Sequence, residues 1–263
     1  MQAAETKIVL TDFLERLGAA SASALLLDYD GTLAPFQKER HRAYPYPGVV
    51  PILESIMRVG KTRVIVVTGR PIRELQALLP LEGRLEVWGE HGLEHLLADG
   101  TCQQTPIAPE IAEALAQAGR WLNEANLTSL AEIKRGGLAV HWRGLPDVER
   151  EQVRARTLRG WAELAEQPGI KLLRFEGGLE LRSARPNKGD AMTAILEEMD
   201  SRTQIAFLGD DLTDEDAFRA LGERGLSILV RPEYRETMAN LWLKPPQELL
   251  EFLTRWLNYT STP

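Results

Sequence analysis

The chain has 263 residues, 44% of them hydrophobic, with a formal net charge of −7 and one cysteine. An acidic chain lacks the basic stripe that displaces counterions from phosphates, which argues against a nucleic-acid partner. The single Cys102 excludes an internal disulfide, and no apolar run is long enough to span a bilayer, so the expectation is a cytoplasmic monomer with no membrane partner.

Taken in chain order, the first apolar run lies in "ALLLDYDGTL" and reads as a buried strand. It ends on two carboxylates, Asp28 and Asp30, on either side of Tyr29. Paired carboxylates repel, and a cation relieves that cost. Mg²⁺ is the expected ion, since it takes a few oxygen ligands together with water and substrate phosphate. The next run, "TRVIVVTGR", reads as a second strand with Thr68, Gly69 and Arg70 at its end and a helix starting near Pro71. A hydroxyl and backbone N–H groups at such a place suit phosphate oxygens. "RLEVWGEHG" reads as a third strand, running into His91 and Gly92.

The middle of the chain has another rhythm. Ile111, Ala114, Leu115, Ala118 and Leu122 share one helical face. "LAEIKR" and "GGLAVHWRG" follow as strands, then a helix near Asp147–Glu166, then two strands in "IKLLRFEGGLELRS". Gly-Gly pairs at 136–137 and 177–178 sit where hairpin turns belong. Trp142 alternates with His141 and Arg143 and is expected in the core, while His141 reads equally as a hydrogen-bond donor to a ligand or a core histidine.

The parallel pattern then returns. "RPNKGDAM" puts Lys188 at a helix start, where a cation opposes the helix dipole. A phosphate ligand would explain it; so would an ordinary surface lysine. "TQIAFLGDDLTDEDAF" is a strand ending in an acidic cluster, with Asp210 the candidate Mg²⁺ ligand. Asp214 reads either as a holder of metal-bound water or, like Thr213, as a helix N-cap. Repeated strand–loop–helix units predict an α/β, doubly wound, mostly parallel sheet with a Rossmann-like core, in which ligands bind at the carboxyl ends of the strands. The expected division is a core of residues 1–92 and 185–263 with an inserted α+β cap domain at 93–184.

"DYDGTL", "VVTGR", "NKGDA" and "GDDLTDED" resemble, in order and spacing, the four motifs of the haloacid-dehalogenase-like phosphatases. The segment 31–67 is too short for an inserted domain beside a helix and a strand, whereas 71–187 has room. That resembles the branch with an α+β cap after the second motif. Within it, "DYDGTLAP", "GEHGLE", "EIKRGGLAVHWR", "LELRSARPNKG" and "GDDLTDEDAF" are most similar to the trehalose-6-phosphate phosphatases.

The resemblance implies a Mg²⁺-dependent phosphomonoesterase acting on a sugar phosphate, trehalose 6-phosphate, through an aspartyl-phosphate. Asp28 would be the nucleophile and Asp30 the proton carrier, with Thr68 and Lys188 completing the catalytic set. Asp28, Asp30, Asp210 and Asp214 would serve the metal, and Thr68, Gly69, Arg70 and Lys188 the phosphate. His91, Gly92, Glu132, Lys134, His141, Arg143 and Glu180 would contact the sugar. One position departs from the family: Glu176 stands where a lysine is usual. The alternatives are the same chemistry on another sugar or polyol phosphate, and a non-catalytic sugar-phosphate-binding module.

Overall fold

A computed structural model describes residues 3–37, 39–81, 85–175 and 177–261. Along the chain run α1 (Ala3–Ala19), β1 (Ser23–Leu27), α2 (Val49–Val59), β2 (Thr62–Val67), α3 (Ile72–Leu78), β3 (Glu86–Gly89), β4 (Glu94–Leu96) and β5 (Cys102–Gln104). Then come α4 (Pro109–Glu124), β6 (Ala131–Lys134), β7 (Gly137–His141), α5 (Asp147–Gly160), α6 (Ala162–Ala165), β8 (Ile170–Phe175) and β9 (Gly178–Ser183). The chain closes with α7 (Lys188–Glu197), β10 (Gln204–Gly209), α8 (Glu215–Leu221), β11 (Leu226–Val230), β12 (Leu241–Leu243) and α9 (Gln247–Ser261).

Two compact units result, Met1–Gln104 with Asn187–Pro263, and Thr105–Pro186. The larger holds a sheet ordered β12-β11-β10-β1-β2-β3-β4-β5, parallel from β12 to β3 and antiparallel at β4 and β5. Strand side chains alternate between faces. Leu25, Leu27, Val64, Val66 and Leu208 pack with α2, α3 and α9 on one side. Ala24, Leu26, Ile65, Val67 and Phe207 pack with α7 and α8 on the other. Burial on both faces explains why these strands read as unbroken apolar runs.

The observed division differs from the expected boundary at residue 92. The hairpin β4–β5 extends the larger sheet through pairs such as Trp88 with His95. Its short strands carry few apolar residues, so the sequence gives no sign of which sheet they join. At the other end the division falls at 186/187 rather than 184/185.

The smaller unit is an antiparallel sheet ordered β6-β7-β9-β8. Leu138, Val140, Leu179 and Leu181 pack on one face with Ala114, Leu115, Ala118 and Leu122 of α4 and Val153 of α5. Trp142 is buried in the same cluster. The expected single helix at 147–166 is instead α5 and a short α6, interrupted at Trp161, whose ψ of 3° leaves the helical range. Gly160 lies so close under the Trp121 indole that a Cβ would overlap the ring.

Candidate active site

β10, β1 and β2 are adjacent and parallel, so Asp210, Asp28 and Thr68 emerge at the same edge of the sheet. The strand order reverses at β1, the position where open α/β sheets bind ligands. Pairing continues one residue past β1, with the Asp28 N–H donating to the Leu208 carbonyl at 2.8 Å. The Asp28 carboxylate is therefore carried by backbone that the core already fixes.

Asp28 is 3% exposed. Its Oδ1 accepts a hydrogen bond from Lys188 Nζ at 2.5 Å, and its Oδ2 one from Thr32 Oγ1 at 3.3 Å. Lys188, equally buried, also donates to Asp214 Oδ1 at 2.7 Å. It is the first residue of α7, but Asn187 and Asp190 close a capping box around that helix start without it. Lys188 is thus no surface lysine: its charge is held by two buried carboxylates.

Asp214 immediately precedes α8, but its side chain makes no capping hydrogen bond to that helix. Its Oδ2 accepts the N–H groups of Asp210 and Asp211 at 3.0 and 2.9 Å, while Oδ1 takes Lys188. It closes its own turn and belongs to the charge cluster at once. Gly209 permits this, since a side chain there would collide with that of Asp214.

The carboxylates of Asp28, Asp210 and Asp214 lie within 4.8 Å of one another. Burial, with Asp214 adding to it and Lys188 opposing it, pushes the Asp28 carboxyl from 3.8 up to about 7. Burial and the neighbouring Asp28 and Asp214 drive Asp210 well above the usual range. Burial opposes the Lys188 charge, but Asp214 and Asp28 outweigh it and the ammonium is held more firmly than usual. Asp210 Oδ2 is buried with no hydrogen-bond partner. Three buried carboxylates, one lysine and an unsatisfied oxygen fit a hard divalent cation, which takes oxygen ligands and cancels the excess negative charge.

Asp30 is placed differently. Both its oxygens accept from Arg70, whose Nε and Nη2 each approach to 2.6 Å. The carboxylate therefore stands in a fork rather than in the three-carboxylate group, and the Arg70 guanidinium, 1% exposed, is turned to Asp30. Between the two aspartates, Gly31 has φ +87°, and a Cβ there would come within 2.5 Å of the Asp210 carboxyl carbon. Only glycine meets both demands.

Thr68 is buried, and its hydroxyl accepts the Arg70 N–H at 3.2 Å. Its own N–H donates to the Trp88 carbonyl. At Gly69 a Cβ would come within 2.6 Å of His91 Nε2, so the imidazole lies directly on this turn. Glu90, His91 and Gly92 all have positive φ, at 45°, 59° and 110°. Two successive non-glycine residues in that region carry backbone strain of a kind that collects at functional sites.

In the smaller unit, Glu132, Lys134, His141 and Glu180 join on the sheet face opposite its helices. Lys134 Nζ lies 2.9 Å from Glu180 and 3.7 Å from Glu132. His141 Nε2 lies 3.0 Å from Glu132 Oε2, with its ring against Phe175. Ala139 pairs with Glu132 on one side and Glu180 on the other, which sets the spacing of the two glutamates. Arg143 lies against the Gly177 turn, where φ is +86°. Glu176 falls outside the described residues.

Residues the sequence reading passed over also shape the site. Thr32 supports Asp28 from within "DGT". Glu94 accepts the Ile72 N–H at the start of α3. Arg231 and Arg235 donate to the carbonyls of the acidic loop. The two arginines follow β11, so the strand-end rule that locates Asp28 and Asp210 would have located them.

A doubly wound sheet with acidic strand ends, a threonine and a buried lysine at one edge defines a haloacid-dehalogenase-like phosphatase. A haloacid dehalogenase-like hydrolase from Bacteroides thetaiotaomicron shares the fold, with a TM-score of 0.64 at 17% identity, covering 89% of this chain and 99% of that one. The C-terminal domain of Candida albicans trehalose-6-phosphate phosphatase superposes with a TM-score of 0.81 at 19% identity, over 95% and 96% of the two chains. A trehalose-phosphate phosphatase of Mycobacterium marinum is 30% identical over 277 aligned positions, covering 96% of this chain and 67% of the relative. The trehalose-phosphatase family model matches residues 26–243. The chain belongs to the trehalose-phosphatase family and is a phosphomonoester hydrolase. Among the described residues, no helix is long and apolar enough to cross a membrane.

Proposed function

We propose that the chain hydrolyses trehalose 6-phosphate to trehalose and phosphate, carrying the phosphoryl group transiently on Asp28. The observation behind this reading is the Asp28 carboxylate, buried, 2.5 Å from Lys188 and grouped with Asp210 and Asp214. Asp28, Asp210 and Asp214 would hold Mg²⁺, which neutralises charge on the phosphate when bound.

An Asp28 oxygen attacks phosphorus, and the bond from phosphorus to the sugar oxygen breaks. Asp30 gives a proton to that oxygen, then takes one from the water that hydrolyses the aspartyl-phosphate. Arg70 occupies both Asp30 oxygens, so Asp30 reaches the sugar oxygen only as that fork opens. Lys188 offsets charge on the phosphoryl oxygens, and Thr68 and Gly69 position them. The smaller unit reads the sugar through Glu132, Lys134, His141, Arg143 and Glu180, and His91 and Gly92 add contacts.

A second reading keeps the chemistry and changes the sugar. It is favoured by Glu176, where the family usually carries lysine. Phosphate release from trehalose 6-phosphate, glucose 6-phosphate and other disaccharide phosphates, with and without Mg²⁺, separates the two. Equal turnover of all these substrates would overturn the trehalose assignment, and activity undiminished by a chelator would overturn the role of the cation.

A further inference from the structure

We propose that Arg235 is a positioning residue that sets the cation affinity of the acidic site by fixing the Asp210–Asp211 backbone. This rests on the reading that Asp28, Asp210 and Asp214 hold a divalent cation.

Asp210 Oδ2 lacks a hydrogen bond and meets Arg231 Nη1 only as an ion pair at 3.9 Å, so its carboxylate is held loosely from the side-chain end. It is aimed from the backbone. The Asp210 and Asp211 N–H groups are taken by Asp214. The carbonyls are taken from the other side. Arg235 Nε donates to Asp210 O at 3.3 Å and Nη2 to Asp211 O at 2.8 Å, and Arg231 Nη1 donates to Asp210 O at 3.2 Å. One guanidinium thus spans two successive carbonyls, which an ammonium on a flexible stem does not reproduce.

Arg235 is itself fixed. Its Nη1 donates to the Glu215 carboxylate and, at 2.9 Å, to the Glu236 carbonyl. Glu215, the first residue of α8, also accepts from Thr237 Oγ1 at 2.7 Å and the Met238 N–H at 2.9 Å. The segment after β11 is laced to the acidic loop through this pair. None of these groups touches the three carboxylates as a ligand would, yet without Arg235 the Asp211 carbonyl loses its guanidinium donor and the Asp210 carbonyl keeps only that of Arg231, so the loop is held less firmly from that side. Ligands need placement to within about half an ångström, and loss of such supporting partners lowers metal affinity by roughly 10–100-fold.

The test is an equilibrium Mg²⁺ titration of the cation-free protein by calorimetry, with melting curves of the same samples. Arg235→Ala should weaken Mg²⁺ binding by about tenfold or more. Arg235→Lys should weaken it nearly as much, because the fork and not the charge is lost, and Glu215→Gln by less. In turnover assays the loss should appear in the Mg²⁺ requirement rather than in kcat. Arg235→Ala binding Mg²⁺ within twofold of wild type overturns the proposal. If Arg235→Ala fails to melt cooperatively, wild-type affinity in both Arg235→Lys and Glu215→Gln overturns it instead. A wild-type protein that binds no Mg²⁺ overturns the underlying cation reading and this proposal with it.

Discussion

Two ionic clusters, one in each unit, are built on opposite plans. In the larger unit Asp28, Asp210 and Asp214 outnumber Lys188, and all four are at most 3% exposed. In the smaller unit two carboxylates, Glu132 and Glu180, face the Lys134 ammonium and the His141 imidazole, and these side chains are 10–38% exposed. The first uses short aspartates on strand ends pinned by parallel neighbours. The second uses longer side chains on a hairpin sheet. A buried surplus of one charge is costly and is tolerated where a cation and a phosphate will meet it. A less buried set of long side chains can exchange its internal ion pairs for hydroxyl groups of a ligand. The two clusters thus differ in burial and in charge surplus.

The largest expected effect would break the comparison at its root. Asp28→Asn should lower kcat by about 10³-fold or more, measured as phosphate release at saturating Mg²⁺. Near-normal turnover would remove Asp28 from the covalent role. Lys188→Met should come next. Removing one partner of a buried ion pair costs about 3–5 kcal/mol, so denaturant unfolding of cation-free protein should show a loss at the low end of that range, since Asp28 can protonate. Lys134→Met in the smaller unit should cost less, about 1–2 kcal/mol, because Lys134 and Glu180 are 11% and 10% exposed and the carboxylate left behind can take water. Equal losses would mean the two clusters do not differ as described.

Recognition sharpens the contrast further. Glu180→Gln keeps the shape of the side chain but weakens its pair with Lys134 at 2.9 Å. It should raise KM for trehalose 6-phosphate about tenfold with kcat changed less than threefold, the signature of lost uniform binding. A fall in kcat with KM unchanged would move Glu180 into the chemistry.

What was legible in the sequence follows the same division. The parallel strands are buried on both faces, so their apolar runs announce them, and whatever follows an apolar run lies at the ligand edge. Asp28, Thr68 and Asp210 were readable for that reason. The antiparallel sheet was readable from alternation, which put Trp142 in the core. Pairings across the chain were not legible. That Arg70 would take both oxygens of Asp30, or Lys188 bridge Asp28 and Asp214, depends on contacts 40, 160 and 26 residues apart. The hairpin β4–β5 was misjudged because edge strands this short carry almost no pattern. Arg231 and Arg235 were legible in principle, but their partners are backbone carbonyls, which have no sequence signature.

The smallest expected effect concerns the cost of keeping Asp28 ionised. Its carboxyl is raised to about 7, against an ordinary 3.8, by burial first and by Asp214 in addition, with Lys188 working the other way. Between those two values the folded state binds the proton more tightly than the unfolded chain, so this group's contribution to stability falls as pH rises through the window. Above about 7 the cost is present in full; near pH 4 it is absent. Asparagine at this position carries no such cost. In cation-free buffer at pH 8, Asp28→Asn should therefore be more stable than wild type by about 1 kcal/mol, a shift of roughly 2–4 °C in melting temperature. The gap should close as pH is lowered toward 4. Adding Mg²⁺ at pH 8 should reverse the order, because the cation stabilises a carboxylate that the variant lacks. A variant that melts at or below wild type across the whole range would mean that Lys188 already cancels the charge of Asp28, and the surplus that distinguishes this cluster from that of the smaller unit would then rest on Asp210 and Asp214.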